Sequence, residues 1–280
     1  QEGLFAQLAQ AANALNAGFA AWSWEDEWLL TLDNGEYVQY APSLNAGTAG
    51  VQRALAVGAT DYEAWLADLS TDEGFAAVYQ RLFGDPFAYT VEPLIPLGFQ
   101  TPTLRLPWPQ GETWHFTGAP HPGWGSQGTW AALDFATGER NLGCEASEQW
   151  VTAAAPGRII VSEHGVVWQD LDDDGFLGTG WTLLYLHIAE HDRVTVGTYV
   201  QTGDPLGHPS CEGGISTASH LHFAWRYNGV WMPVDHPTQP MVLSGWHAVA
   251  GSRAYDGMLV KGQVTKEACE CWSNINSISH

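Results

Sequence analysis

The interpretation of this chain starts from the stretch Ser219-His220-Leu221-His222-Phe223-Ala224-Trp225. Its apolar residues alternate with the other positions at period two, which predicts a β-strand. The alternation places His220 and His222 together on the opposite face, about 7 Å apart along the strand. Two imidazoles at this spacing can share a metal ion or a substrate, or can simply lie on a wet strand face. A third ligand and an acid–base partner elsewhere in the chain would decide between these interpretations.

The composition is that of a globular protein, because 45% of the 280 residues are hydrophobic and 12% are aromatic. This length suits one large domain, or a catalytic domain with a smaller one. No apolar run reaches the ~18 residues of a membrane helix, so we predict no membrane span. Ten Lys and Arg against 31 Asp and Glu give a formal charge of −21. This shortage of cations argues against a nucleic-acid partner, and it provides no attraction to an anionic cell wall.

The four cysteines, together with 15 Trp and 31 Gly, suit a secreted protein with disulfides. Residue 1 is Gln and no signal segment follows it, so any signal peptide is absent from this numbering. The cysteines allow three fully paired connectivities, and we favour a bridge between Cys144 and Cys211. Cys269 and Cys271 are too close for an easy bridge, although a strained bridge between them is an alternative.

The first ninety residues predict a small mixed region of helices and one hairpin. Asp33-Asn34-Gly35 is a hairpin turn signal between apolar runs at 28–32 and 36–40. Helical spacing and capping patterns predict helices over 3–16 with a stop at Gly18, over 61–69, and over 72–83 with a stop at Gly84. No catalytic constellation lies here, so we assign residues 1–90 to an accessory or propeptide-like α+β region.

The remainder of the chain changes character after a proline-rich connector. Six prolines between positions 85 and 109, with little periodicity, predict an extended linker, which we place at 91–103. From Trp114 onward, short apolar runs alternate with Gly, Asp and Asn turns, and no helix is predicted beyond residue 110. We therefore expect an α+β protein with a mainly antiparallel β domain over 104–280, which includes a C-terminal extension.

Two further residues upstream of the His-x-His pair could complete a metal site. Asp134 lies in an apolar segment, where a carboxylate is costly unless it is paired or binds a metal ion. His121 lies on a loop of Pro and Gly. Together with His222 they would supply two imidazoles and one carboxylate, with a fourth position open to water, which is the pattern of catalytic zinc. Taken alone, Asp134 could be a turn or cap residue and His121 a surface residue.

His187 ends an otherwise apolar strand, where a histidine is more often structural.

At this point the order of motifs resembles the lysostaphin-type zinc endopeptidases, specifically their beta-lytic (staphylolysin-like) branch. The resemblance covers about residues 104–235 and leaves out the first hundred. The landmarks that carry it are Leu106-Pro107-Trp108, Gln110-Gly111, Trp114, Gly118 to His121, Leu133-Asp134-Phe135, Tyr185-Leu186-His187, Cys211-Glu212-Gly213-Gly214, Ser219 to Phe223, and Tyr227-Asn228-Gly229.

The resemblance implies the lysostaphin-type peptidase fold, one zinc ion per chain, and a role for each histidine of the motifs. It implies that His121, Asp134 and His222 bind the zinc ion and that His187 and His220 are catalytic. The commoner short form of the first motif has a histidine where Trp130 stands here, whereas the beta-lytic branch has the longer gap seen in this chain, which assigns His121. His115 is the fallback ligand under a different alignment. Tyr185 is a weaker candidate for oxyanion support, and a packed strand aromatic is the interpretation that we favour.

The implied activity is that of a secreted endopeptidase that cleaves glycine-containing links in bacterial peptidoglycan or in Gly-rich proteins. In such a mechanism a zinc-bound water attacks the amide, and the two non-ligand histidines assist. One alternative is a catalytically silent relative that acts as a binding or regulatory module. Another is a latent zymogen in which residues 1–103 inhibit the peptidase. Neither the oligomeric state nor the residues that bind the substrate follow from the sequence.

An acidic run after the middle strands resembles a calcium loop. Asp170, Asp172 and Asp174 precede Gly175 at the spacing of such a loop. Trp181 stands where the twelfth position would need a bidentate Glu, which favours an acidic hairpin turn between two strands over a Ca²⁺ site.

Overall fold

The computed structural model describes residues 3–24, 29–41, 44–70, 72–88, 93–125, 128–140 and 142–280. The chain divides into two compact units, one of Gln1–Pro96 with Trp124–Thr129, the other of Leu97–Gly123 with Trp130–His280. Within the described residues, the first unit holds four α-helices and a hairpin, and the second is built from antiparallel strands, which confirms the expected α+β class. Among the described residues, no helix combines the length and apolarity of a membrane span.

The helices of the first unit are α1 (Gly3–Trp24), α2 (Ala46–Ala56), α3 (Tyr62–Asp68) and α4 (Phe75–Phe83), and its hairpin pairs β1 (Leu29–Thr31) with β2 (Tyr37–Gln39). The hairpin predicted around Gly35 is therefore confirmed, as are the two short helices, the second of which ends at Gly84. The predicted stop at Gly18 is wrong. A Cβ on Gly18 would lie 2.8 Å from the Ala49 oxygen and the Gly50 Cα. Gly18 thus allows α1 and α2 to pack closely.

The second unit is organised around a nine-stranded sheet with the order β17-β3-β4-β11-β8-β7-β6-β9, in which β12 also pairs with β11. The strands are β3 (Thr113–His121), β4 (Ala132–Ala136), β5 (Val151–Thr152), β6 (Gly157–Glu163), β7 (Val166–Asp170), β8 (Trp181–Leu186), β9 (Tyr199–Val200), β10 (Pro205–Gly207), β11 (Leu221–Tyr227), β12 (Val230–Trp231), β13 (Val242–Leu243), β14 (Trp246–Ala250), β15 (Gly257–Lys261), β16 (Val264–Glu267) and β17 (Ser277–Ser279). A smaller sheet has the order β13-β14-β15-β16, and β5 pairs with β10.

The centre of the large sheet is buried on both faces. All residues of β4 and β8 are buried, and the fully buried Trp225 of β11 packs on Trp181 with ring centroids 4.5 Å apart. Trp225 also donates its indole N–H to the Met232 oxygen at 2.7 Å, so this buried polar group is satisfied. Replacing Trp225 by Ala would cost roughly 3–5 kcal/mol. The result is a rigid platform beneath the strand ends.

The strand register brings the predicted site residues to one place. His222 of β11 lies opposite Asp134 on β4 and opposite Leu186 on β8. His187 follows Leu186 directly. His220 directly precedes β11 and forms an isolated antiparallel β-bridge with Ser210. Three neighbouring strands therefore bring one carboxylate and three histidines close together.

All four cysteines are paired in two disulfides. The favoured bridge between Cys144 and Cys211 is present, which confirms that prediction. Cys269 and Cys271 also form a disulfide, so the bridge given above as the alternative is present too.

Candidate active site

Three potential metal-ligand atoms meet in a nearly equilateral triangle. Asp134 Oδ1 lies 3.2 Å from His121 Nε2 and 3.1 Å from His222 Nδ1, and the two ring nitrogens are 3.0 Å apart. All three side chains are buried. These separations are close to about 3.3 Å, the edge of a tetrahedron with ligand bonds of about 2.0–2.1 Å. The donor set and its spacing fit a Zn²⁺ ion.

Backbone carbonyls fix how the two imidazoles of the triangle face Asp134. His121 Nδ1 donates to the Ala119 oxygen at 2.7 Å, and His222 Nε2 donates to the Gly123 oxygen at 3.1 Å. Because a carbonyl oxygen only accepts, these nitrogens carry the hydrogens, and a neutral ring then turns a lone pair toward the carboxylate. Three lone pairs converging without a cation would repel one another, so the triangle has the polarity of a metal site.

The local backbone explains how Asp134 and His121 reach this point. Strand β3 shifts register against β4 on both sides of Gly118, and such bulges re-aim side chains. A Cβ on Gly118 would lie 2.5 Å from Asp134 Oδ2, so this position must be glycine to leave room for the carboxylate. His121 is the last residue of β3, so the expectation of a loop position for it is wrong.

The neighbouring histidines keep Asp134 ionised. Burial by itself would raise the pKa of Asp134, but when no cation is bound the rings that face it can be protonated, and the charges of His121 and His220 and the hydrogen bonds of His121 and His222 then outweigh the effect of burial. The pKa of Asp134 therefore lies well below its ordinary value. A carboxylate held in its charged form is the form that binds a cation.

His187 and His220 lie beside the triangle without joining it. Their ring centroids are 4.6 Å apart, and His220 Nε2 is 3.6 Å from Asp134 Oδ1. His187 Nδ1 donates to the Glu212 oxygen at 2.8 Å, and His220 Nδ1 lies 2.9 Å from the Ala218 oxygen. Each ring therefore keeps its Nε2 for chemistry.

His187 has two properties of a functional residue. Its backbone is in the left-handed region at φ +69°, which a non-glycine residue adopts only where the surroundings enforce it. Burial, and then repulsion from His220, lowers the pKa of His187 to about 4. The ring is therefore neutral near pH 7, and its Nε2 can accept a proton.

The site opens into a cleft, and part of its lining was not expected from the sequence. The segment from Ile215 to His220 lines it, and so do Tyr255, Glu270 and Trp272. Tyr255 stacks on His121, with ring centroids 4.1 Å apart and an angle of 19° between the planes. No local sequence pattern links Tyr255 to a histidine 134 positions earlier.

The other candidates lie elsewhere. His115 lies on β3 outside the triangle, and its Nδ1 is 3.0 Å from Asn276 Oδ1. The Tyr185 hydroxyl is fully buried, donates to Gln169 Oε1 at 2.8 Å and accepts from the Ala154 amide at 2.8 Å. Its pKa is raised by burial. Tyr185 is thus part of the packed sheet.

The acidic run connects β7 to β8. Asp170, Asp172 and Asp174 lie close enough to share an ion. Asp170 Oδ2 accepts from the Gly175 amide at 2.8 Å, and Asp174 Oδ1 accepts from the Phe176 amide at 2.9 Å. These carboxylates therefore stabilise the turn through hydrogen bonds to its own backbone amides.

Two family profiles match the chain. Residues 141–235 match the family described as Peptidase family M23, and residues 1–96 match the one described as LasA, N-terminal domain. Among curated proteins, Protease LasA of Pseudomonas aeruginosa is 29% identical over 181 residues, which cover 58% of this chain and 40% of that protein. The Beta-lytic metalloendopeptidase of Achromobacter lyticus is 27% identical over 171 residues, 58% of this chain and 42% of that protein. The chain thus covers about two fifths of these two relatives.

Among solved structures, "A Novel M23 Metalloprotease Pseudoalterin from Deep-sea" shows a likeness to this chain. It is 26% identical with a TM-score of 0.49, and the match covers 60% of this chain and 96% of that one.

Proposed function

Since this chain carries a Peptidase family M23 domain and a LasA N-terminal domain, we propose that it is a zinc metalloendopeptidase that hydrolyses glycine-containing peptide bonds. The observation that carries the proposal is the buried triangle of His121, Asp134 and His222, with His187 and His220 beside it. The relatives named Protease LasA and Beta-lytic metalloendopeptidase support the same chemistry.

The three triangle residues would hold the Zn²⁺ ion. When bound, such an ion supplies a water of lowered pKa and polarises the scissile carbonyl. The protein's own contribution begins with the carbonyls of Ala119 and Gly123, which hold the two imidazoles in the tautomers that face Asp134.

His187 and His220 would move the proton. The neutral His187 can accept a proton at Nε2, since its Nδ1 is held by the Glu212 oxygen. The neighbouring His220 ring, with its centroid 4.6 Å from that of His187, places its Nε2 3.6 Å from Asp134 Oδ1. Together the pair can take a proton from the attacking water and return it to the leaving amine. General acid–base catalysis of this kind contributes typically about 10²–10⁴-fold.

We propose that the cleft favours glycine at the scissile bond. The Tyr255 ring covers one face of His121, and Ile215 to Ala218 also line the cleft. Peptide backbone without side chains is the substrate that fits beside buried ligands, so we propose glycine-containing cross-links of bacterial peptidoglycan, or Gly-rich peptides. Two disulfides suit an extracellular protein, and we propose that the chain acts outside the cell.

The division of the chain is also part of the proposal. We assign residues 1–90 to an accessory or propeptide-like region, 91–103 to a connector and 104–280 to the peptidase domain. The match of residues 1–96 to a separate family profile supports a distinct N-terminal part. Comparing the activity of the full chain with that of a 104–280 fragment tests whether the N-terminal part inhibits; equal activity would exclude inhibition in cis.

The decisive experiment combines zinc analysis with cleavage of a glycyl peptide or peptidoglycan. The parent should hold stoichiometric zinc and cleave, His222→Ala should lose both, and His187→Ala should keep zinc while turnover falls by at least about 10²-fold. His115→Ala is the matched control, because His115 lies outside the triangle, and it should keep both. A parent without zinc, or undiminished turnover in His222→Ala, would refute the proposal.

A further inference from the structure

A second group of potential metal ligands lies away from the active-site triangle. His191, Asp192 and His208 each offer a ligand atom, and these atoms all lie within 4.8 Å of one another. The rings of His191 and His208 are stacked, with centroids 5.1 Å apart and an angle of 16° between their planes. The peptidase mechanism proposed above uses none of these three residues.

The backbone fixes the two segments that carry this group. The Ala189 amide donates to the His208 oxygen at 2.8 Å, and the Val194 amide donates to the Leu206 oxygen at 2.8 Å. These two bonds flank the turn that carries His191 and Asp192. The turn is therefore held against His208 from both sides, and the juxtaposition of the three side chains follows from main-chain pairing.

His208 is oriented as a metal ligand would be. It is only 6% exposed, and its Nδ1 donates to the Gln149 oxygen at 3.1 Å. In the neutral ring the lone pair is then on Nε2, the same arrangement as in His121, whose Nδ1 is also bound to a carbonyl oxygen. The Trp150 ring packs on His208 at 4.0 Å and holds the imidazole in place.

The other two ligands are free to close around an ion. His191 and Asp192 are exposed, and within the described residues neither side chain makes a hydrogen bond or ion pair. Rotating these exposed side chains can shorten separations of up to 4.8 Å to the about 3.3 Å edge of a tetrahedral site. The formal charge of −21 raises the local concentration of cations.

From this geometry we propose that His191, Asp192 and His208 form a second metal site, which takes a divalent transition ion such as Zn²⁺, Cu²⁺ or Ni²⁺. Two imidazoles and one carboxylate select such ions over Mg²⁺ and Ca²⁺, which prefer all-oxygen ligands. Because two ligands are exposed and must rotate into place, the site binds zinc more weakly than the buried triangle.

An ion at this site would link residues 187–192 to residues 208–212, the two segments that position His187. His187 lies four residues before His191, and its oxygen accepts from the Ser210 amide at 2.7 Å. Glu212, whose oxygen accepts from His187 Nδ1 at 2.8 Å, follows His208 along the chain. The role of the second ion is thus structural, and its existence does not depend on the proposed peptidase activity.

Counting bound zinc tests the proposal directly. Metal-free full-length protein is dialysed against a series of Zn²⁺ concentrations, and zinc per chain is measured by mass spectrometry. The parent should show a tight and a weak class of one ion each. His191→Ala should lose the weak class alone, and His222→Ala should lose the tight class alone. The exposed His164, which lies outside both groups, provides the control His164→Ala, with both classes retained. A parent with one class, or a weak class that persists in His191→Ala, would overturn the second site.

Thermal unfolding gives a second readout that needs no activity. In the His222→Ala background, Zn²⁺ at 100 times the dissociation constant should raise the melting temperature by several degrees, since ligands that bind only the folded state stabilise it. Adding Asp192→Asn or His191→Ala should abolish the shift. An equal shift with Mg²⁺, or one that survives these substitutions, would contradict a nitrogen-ligated site.

Discussion

The Tyr255 ring lies flat against the imidazole of His121, at a centroid distance of 4.1 Å, and so covers one face of a proposed zinc ligand. Removing this ring should let His121 leave the orientation in which Nε2 faces Asp134 at 3.2 Å. We expect Tyr255→Ala to weaken zinc binding roughly tenfold, as loss of support around a ligand commonly does. Competition with a chromophoric chelator measures this affinity.

The matched variant is Tyr255→Phe, which keeps the ring and removes only the hydroxyl. Zinc affinity should then stay within about twofold of the parent. If both variants bind zinc equally well, the stack does not position His121. If both bind it equally poorly, the hydroxyl rather than the ring is responsible.

Gly118 provides a test of the carboxylate's position. A Cβ added there would meet Asp134 Oδ2 at 2.5 Å and the Asp134 Cβ at 2.9 Å, so Gly118→Ala must displace this side chain. We expect a loss of zinc of at least about tenfold and a matching loss of turnover, with the fold kept. Gly178→Ala is the control, because a Cβ at Gly178 meets nothing within 4 Å. Equal activity of both variants would show that Asp134 tolerates the displacement.

The disulfide between Cys144 and Cys211 should stabilise the folded chain strongly. It closes a loop of 67 residues, for which the chain-entropy treatment gives about 4 kcal/mol. Replacing both cysteines by Ala should lower the free energy of unfolding by about this amount in urea titrations. The pair Cys269 and Cys271, only two residues apart, should contribute far less when it is replaced in the same way. Equal losses from the two double variants would contradict the loop-length argument.

Local patterns single out several of the polar residues that the structure brings together, but only the resemblance assigns roles to all five. Alternation in β11 places His220 and His222 on one face, and an apolar run around Asp134 makes that carboxylate conspicuous. The strand register then joins residues that the sequence shows only as separate motifs. The role of Tyr255 was not predictable, because its contact with His121 spans 134 positions and depends on the course of the whole second unit.

Glycines account for the main errors in the first unit. Gly18 has the position of a helix stop, but tertiary packing against α2 uses its missing side chain within a continuing helix. Helix α2 itself was not expected from the sequence. Helix α2 contains Gly47 and Gly50, which weaken its intrinsic helical propensity. A Cβ added to Gly50 would lie only 2.7 Å from the Leu15 oxygen, so the close approach of α1 requires glycine there. Tertiary contact between the two helices stabilises both, which no single-segment pattern reveals.

The acidic turn between β7 and β8 predicts an unusual dependence of stability on pH. Partial burial, and then the hydrogen bond and charge of Asp170 with the charge of Asp174, raise the pKa of Asp172 to about 6. The unfolded chain releases this proton near pH 4, at the ordinary pKa of about 3.9. Between these values the folded state binds more protons than the unfolded state, so this carboxyl lowers stability as the pH rises from about 4 to about 6.

Asp172→Asn removes this titration. The variant and the parent should be equally stable at pH 4, and the variant should gain relative to the parent up to about pH 6.5, as measured by urea midpoints with a chelator present. Asp173 is the control with the opposite sign, since its ion pair with Arg158 lowers its pKa. Asp173→Asn should therefore lose stability relative to the parent at neutral pH, and this loss should vanish as the pH falls below about 4. Stability curves that run parallel for the parent and Asp172→Asn would show that the turn does not raise the pKa of this carboxyl.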